Sequence, residues 1–250
     1  MTADPEDRAR HAFLDMDGTL LPGVLGTYYL RNLADDGVCD RTAAEACLDA
    51  IKRYATATSD REHLHVESYR LYAEAIRGVA FDRAWPTARR TWNACRSRLF
   101  PFAEELISLL KANGCQIHLI SGNADTIMTA AALDLGVASG HGVGTEIVGG
   151  RFTGRIANPP GLPGGKDSIM RGFKAAESFD PDSAVAIGNT VRDSELFDHV
   201  GIAIAFEPDG ELRPVAARRG WHIVDRTTIV PACARLLAGS CRAHARNRTP

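Results

Sequence analysis

Ala12-Phe13-Leu14-Asp15-Met16-Asp17-Gly18-Thr19-Leu20 is the stretch that decides how the rest of the chain reads. A short apolar run broken at once by two acids and a glycine suits a buried strand that ends in a functional loop. Asp15 and Asp17, two residues apart at such an end, can serve as nucleophile and general acid/base, and Gly18 lets loop N–H groups approach an oxyanion. An Asp-rich turn has the same appearance in isolation, so the flanking sequence has to decide between them.

Outward from this stretch the texture changes twice. From about Val24 to Arg98 the residues read as consecutive helices, with Ala, Leu, Glu and Arg plentiful, glycine sparse, and Leu64, Tyr69, Tyr72 and Ile76 recurring near a helical period. After Pro101 helices and strands alternate. A helix to Asn113-Gly114 precedes a strand Cys115 to Ile120 and a helix from Asn123 to about Leu135, closing at Gly136. Thr145 to Val148 and Phe152 to Ile156 then form a hairpin across the three-residue turn Gly149-Gly150-Arg151. A helix from about Lys166, a strand Ala184 to Ile187, a helix near Asp193, a strand Ile202 to Phe206 and a last helix ending near Ala238 complete the pattern. Such alternation predicts an α/β fold with a doubly wound parallel sheet whose ligand lies at the carboxyl ends of the strands. The helical stretch is then an insertion after the first strand. The expected division is 1–22 and 100–239 as core, 23–99 as a helical insertion, and 240–250 as a basic, frayed tail.

Composition narrows the partners. Of 250 residues, 45% are hydrophobic and 24% charged, and the formal charge of -2 leaves no global positive field for nucleic acid or an anionic membrane surface. An anionic ligand would have to be held locally. The opening Met1 to His11 is charged and lacks an apolar signal region, and no stretch approaches the roughly 18 apolar residues of a membrane span. A cytoplasmic location is expected. The six cysteines contain no C-x-x-C pair or zinc-finger spacing and read as free thiols, and His63 and His65 fall on different faces of a helix. Nothing in the sequence sets an oligomeric state.

Three further strand ends or following loops carry suggestive residues. Ile120-Ser121-Gly122-Asn123 offers a hydroxyl before a helix N-terminus, which accepts a phosphate oxygen, although Ser and Asn there are also ordinary helix caps. Lys166, after Gly164-Gly165, offers an ammonium that can neutralise a transferring phosphoryl group or simply be solvated. It is not a P-loop lysine, because that motif needs glycine where Pro160 stands and a hydroxyl where Asp167 stands. Gly188-Asn189-Thr190-Val191-Arg192-Asp193 offers oxygen ligands that magnesium accepts, or again a helix cap.

Taken in this order, D-x-D-G-T at Asp15 to Thr19, Ser121-Gly122, Lys166, and Gly188-Asn189 with Asp193 downstream resemble the four motifs of the haloacid dehalogenase-like phosphatase superfamily. The likeness is nearest to the branch typified by phosphoserine phosphatase (subfamily IB), where Ser-Gly opens the second motif, a hairpin like Gly150 to Gly154 precedes the lysine, and a helical cap follows the first motif. It runs from about Phe13 to Val224, more weakly in the helical insertion.

The resemblance implies a Rossmann-like core with an inserted cap and a Mg²⁺-dependent phosphomonoesterase acting on a small phosphorylated metabolite. Asp15 would be the nucleophile that becomes an aspartyl-phosphate, and Asp17 the acid that protonates the leaving alcohol. Gly18, Ser121, Gly122 and Lys166 would hold the phosphoryl oxygens, and Asp15, Asp17, Asn189 and Asp193 would bind the metal. The alternatives are a phosphomutase or phosphotransferase of the same superfamily and a non-catalytic phosphate-binding protein. Two departures matter. Asn189 stands where the family usually has aspartate, and Leu21 to Thr27 lacks the cap glutamate that phosphoserine phosphatases carry, so phosphoserine is a disfavoured substrate.

Overall fold

The computed structural model of the protein describes residues 10–175 and 179–246. In chain order the elements are β1 (Arg10–Leu14), α1 (Leu25–Asp35), α2 (Arg41–Thr56), α3 (Arg61–Ile76), α4 (Phe81–Arg96), α5 (Ala103–Ala112), β2 (Cys115–Ala124), α6 (Asp125–Leu135), β3 (Ser139–Val148), β4 (Arg151–Asn158) and α7 (Gly165–Lys174). After these come β5 (Val185–Gly188), a 3-10 turn (Val191–Asp193), α8 (Ser194–Phe197), β6 (Ile202–Phe206), α9 (Leu212–Arg219), β7 (His222–Val224) and α10 (Ile229–Arg246). They form two compact units. One comprises the described residues of Met1–Pro22, Leu99–Leu119 and Lys166–Pro250, the other Gly23–Arg98 and Ile120–Gly165, with β2 contributing to both.

In the first unit the strand order is β2-β1-β5-β6-β7, all parallel. Ala12, Phe13 and Leu14 of β1 and Val185, Ala186 and Ile187 of β5 are fully buried, which is why these parallel strands read as unbroken apolar runs. Leu14 pairs with Ile187 on one side and Leu119 on the other. That register sets the residues after Leu14 beside those after Ile187. One face of β1 and β2 carries a ring cluster in which Phe13 meets Phe173 of α7 edge-on at 4.9 Å and stacks on His118 at 5.3 Å. His11 Nδ1 lies 3.0 Å from His118 Nε2 in the same cluster, and burial lowers the His11 pKa. The helix that carries Lys166 is therefore anchored on β1 by aromatic packing.

The second unit contains the four helices α1 to α4, confirming the helical texture read from Val24 to Arg98, together with α6 and the β3–β4 hairpin. The hairpin is tied to the α3–α4 connection, where Gly78 N–H donates to Phe152 O at 2.8 Å and Phe152 N–H to Val79 O at 3.0 Å. Trp92 Nε1 of α4 donates to Asp134 Oδ2 of α6 at 2.9 Å.

Several boundaries differ from the sequence reading. The hairpin turn is two residues long, because Arg151 already pairs with Val148. β3 begins at Ser139, six residues earlier than read, in a segment whose glycines masked its strand character. The backbone there packs so closely that a Cβ on Gly142 would lie 2.4 Å from Asn123 O. β2 runs on through Ala124, so α6 starts at Asp125 rather than Asn123. α9 and β7 were not anticipated; β7 is three residues long with only Val224 buried. α10 continues past Ala238 to Arg246, while 1–9 and 247–250, which include the end of the expected tail, lie outside the described residues. Among the described residues no helix is long and apolar enough to cross a membrane.

Phe13→Ala removes the ring on which His118 and Phe173 close, and is expected to cost about 3–5 kcal/mol of unfolding free energy. A lowered urea midpoint at unchanged slope is the expected result, and a loss below about 1 kcal/mol would contradict this packing role.

Candidate active site

The first motif wraps tightly after β1. Asp15 N–H donates to Ile187 O at 2.9 Å, and the amides of Thr19, Leu20 and Leu21 all point at Met16 O, at 3.2, 2.9 and 3.1 Å. Gly18 has a φ of +77°, and a Cβ on it would lie 2.3 Å from Asn189 Nδ2, so both conformation and space require glycine. The Thr19 hydroxyl sits 3.1 Å from Asp15 Oδ2 and 3.2 Å from Asn189 Oδ1. One proton thus serves two acceptors, and both oxygens face the same small volume.

Lys166 is only 3% exposed, which rules out a solvated side chain. Its Nζ donates to Asp15 Oδ1 at 2.8 Å and to Asp193 Oδ1 at 2.5 Å. Asp193 is fully buried, and its other oxygen accepts from Asn189 N–H (3.0 Å), Thr190 N–H (2.8 Å) and Thr190 Oγ1 (3.0 Å). A Cβ on Gly188 would lie 2.3 Å from Asp193 Cγ, so this position, too, is reserved for glycine. Asp193 is both the cap of its own turn and the partner of Lys166; the sequence offered the cap or a magnesium ligand, and the pairing with Lys166 was not anticipated.

The electrostatics follow from two acids and one base out of water. Burial pushes the Asp15 carboxyl up to about 7, with Lys166 pulling it down and Asp193 and Asp17 pushing it further up. Burial works against the charge on Lys166 as well, but Asp15 and Asp193 outweigh it and raise its pKa. The ammonium is therefore permanent, and the cluster of Asp15, Asp193 and Lys166 carries one negative charge in excess when both acids are ionised. A hard cation bound by oxygen would offset that charge. Among the described residues no three His, Cys, Asp or Glu side chains gather around one point, so such a cation would rely on the Asp15 carboxylate, the Asn189 amide oxygen and main-chain carbonyls.

The structure brings Asp15, Gly18, Lys166, Asn189 and Asp193 together, with Asp17 in the same loop and close enough to raise the Asp15 pKa. Ser121 and Gly122 belong to the second unit. There Ser121 is 1% exposed and its Oγ accepts from Asn123 Nδ2 at 2.9 Å, while Asn123 Oδ1 accepts from Gly26 N–H at 2.6 Å. Tyr69 Oη donates to Gly122 O at 3.3 Å. Neither Ser121 nor Asn123 caps α6, whose first turn follows Ala124 with no side-chain cap, so the helix-cap alternative does not hold. Sequence reasoning passed over Thr19, Gly188 and Thr190 as contributors. Thr19 was visible as the last letter of D-x-D-G-T, whereas the other two stand out only once the packing against Asp193 is seen.

Known proteins resemble this chain over most of its length. A profile described as haloacid dehalogenase-like hydrolase matches residues 12–198. Phosphoserine phosphatase SerB1 of Mycobacterium tuberculosis is 27% identical over 232 residues, covering 88% of this chain and 72% of that protein. A phosphoserine phosphatase of Streptomyces coelicolor is 33% identical over 208 residues, 83% of this chain but 46% of its own length. Among solved structures, a phosphoserine phosphatase captured as a phospho-aspartyl intermediate analogue matches with a TM-score of 0.58 and 19% identity, over 88% of this chain and 94% of that one. A protein of unknown function from Bordetella pertussis matches with a TM-score of 0.67 and 23% identity, over 87% and 99%. The structural likenesses speak for the fold, and the profile, spanning most of the sequence, speaks for descent: the chain belongs to the haloacid dehalogenase-like hydrolases.

Proposed function

We propose that the protein is a Mg²⁺-dependent phosphomonoesterase that works through an aspartyl-phosphate on Asp15. The observation that carries this reading is the buried Lys166 ammonium, 2.8 Å from Asp15 Oδ1 and 2.5 Å from Asp193 Oδ1. A cation held at the tip of a carboxylate without quenching it by solvent suits the neutralisation of phosphoryl oxygens as they approach that carboxylate. Asp15 attacks phosphorus, and the departing alkoxide takes a proton from Asp17. Asp17 then removes a proton from water, which attacks the same phosphorus and returns Asp15 as free carboxylate. Lys166 and the N–H groups of the Gly18 loop support the phosphoryl oxygens, and the resemblance adds the Ser121 hydroxyl and the Gly122 amide. The Asp15 carboxylate, the Asp17 main-chain carbonyl and Asn189 are the residues that would hold Mg²⁺, which when bound offsets the repulsion between an anionic nucleophile and an anionic ester. Asp193 contributes charge and fixes the loop that presents Asn189.

The substrate in this reading is a small phosphorylated metabolite, with phosphoserine disfavoured. Relatives are named phosphoserine phosphatases, but the first turn of α1 carries no acid to meet an ammonium, and the residues from Leu21 to Thr27 offer none either.

Hydrolysis of p-nitrophenyl phosphate with and without Mg²⁺ tests the reading. Asp15→Asn is expected to lose activity by several orders of magnitude while remaining folded, and retention of more than about a tenth of the wild-type rate would overturn it. Asp17→Asn is expected to slow alkyl esters more than p-nitrophenyl phosphate, whose leaving group needs no proton. Equal losses on both would remove Asp17 from the acid role.

The raised Asp15 pKa gives a stability prediction for the metal-free protein. The folded state holds the Asp15 proton to about pH 7 whereas the unfolded chain releases it near 3.8, so unfolding gains as pH rises through that window. Asp15→Asn, which carries no charge at either end, is expected to melt above wild type at about pH 8 without Mg²⁺, with the gap closing toward about pH 5. A gap that widens on acidification would contradict the buried excess charge.

At the metal, the neutral amide of Asn189 attracts a hard cation less than a carboxylate does. Asn189→Asp is expected to lower the Mg²⁺ concentration for half-maximal activity and Asp193→Asn to raise it. An unchanged midpoint in both would place the metal elsewhere.

A further inference from the structure

Lys166 is gripped at its ammonium end by Asp15 and Asp193, and a separate set of contacts holds the backbone from which it projects. The next amide, Asp167 N–H, donates to Glu195 Oε2 at 3.1 Å. The Asp167 carboxylate meets His199 Nε2 at 2.7 Å and also pairs with Arg171. Asp193, Glu195 and His199 come from one short stretch that contains α8, so this stretch meets the first turn of α7 at the ammonium, at an amide and at a side chain.

The amide contact has a specific cause. N–H groups in the first turn of a helix have no acceptor within the helix, and a carboxylate at that end is favoured by the helix dipole and by a charge-assisted bond. Glu195 supplies it one residue after the lysine. His199 is 11% exposed and leaves its Nδ1 buried without a hydrogen-bond partner, so an apolar side chain would fill that place at lower cost. Its contact with Asp167 is what the imidazole provides there. A lysine stem is long and flexible, and its Nζ holds a fixed place only if the backbone beneath it is fixed.

We propose that Glu195 and His199 are positioning residues that hold the first turn of α7 so that the Lys166 ammonium stays between Asp15 and Asp193. The consequence for turnover rests on the phosphatase reading, but the placement of Lys166 does not, and it is measured directly. Brief acetylation followed by mass spectrometry of the peptides compares buried Lys166 with Lys52 and Lys111, which are exposed. In wild type Lys166 is expected to resist modification while the other two react. Glu195→Ala and His199→Ala are each expected to raise Lys166 modification about tenfold and to lower kcat on p-nitrophenyl phosphate about tenfold, with KM within about twofold. Glu195→Gln keeps an oxygen that accepts from Asp167 N–H and is expected to stay near wild type in both readouts. Arg171→Ala, at a side chain 74% exposed, is expected to change neither.

Folded alanine variants in which Lys166 stays unreactive overturn the proposal, as does a rise in KM with kcat unchanged. Should an alanine variant not fold, Asp167→Asn weakens the His199 contact from its more exposed side: increased Lys166 modification supports the proposal and wild-type modification refutes it. If wild type hydrolyses no phosphate ester, the acetylation result still decides the positioning role, and only the phosphatase reading falls.

Discussion

An ammonium shared by two carboxylates, all three nearly removed from water, is the interaction from which the rest of the site takes its shape. Lys166, Asp15 and Asp193 are 3%, 6% and 0% exposed. Burying an isolated charge is costly, and a pair broken on one side leaves the other uncompensated. The fold meets this cost with hydrogen bonds on nearly every remaining oxygen: Thr19 on Asp15 Oδ2, two amides and a hydroxyl on Asp193 Oδ2. With both acids ionised one negative charge is left in excess, and burial without a further counter-charge is what pushes the Asp15 carboxyl up.

The strands place these groups before any side chain chooses a rotamer. Pairing of Leu14 with Ile187 brings the loops after β1 and β5 side by side, and two glycines let them approach. Gly18 leaves room for the Asn189 amide and Gly188 for the Asp193 carboxyl. A methyl group at either position would push apart the oxygens that the chemistry needs close together. The parallel sheet therefore does more than support the site, because its register is the site's coordinate system.

Much of this was legible in the residues. β1, β5 and β6 are buried on both faces and read as plain apolar runs, and the acids that interrupt the first of them marked the working end. Ser139 to Gly144 was not legible as a strand, since glycine at alternate positions hides the period that a strand ordinarily shows. β7 is too short and too exposed to leave a pattern. At the site, each residue taken alone offered two readings, and only the four motifs in order favoured the chemical one. A lysine after two glycines is solvated or buried according to what faces it, which is a matter of tertiary contact. Asp193 was read as a magnesium ligand or a cap, and its Oδ1 contact with Lys166, made while Oδ2 caps the turn, joins residues 27 apart in sequence that no local pattern links.

The account turns on Asp15 as the atom that accepts the phosphoryl group. Sodium borohydride reduces an acyl phosphate to the alcohol, so quenching the enzyme with it during turnover of a phosphate ester and sequencing the peptide that spans Asp15 and Asp17 by mass spectrometry reads the site directly. The account predicts homoserine at position 15, aspartate intact at position 17, and no conversion when substrate is omitted. Steady turnover with both residues unreduced, or homoserine at position 17, would contradict it.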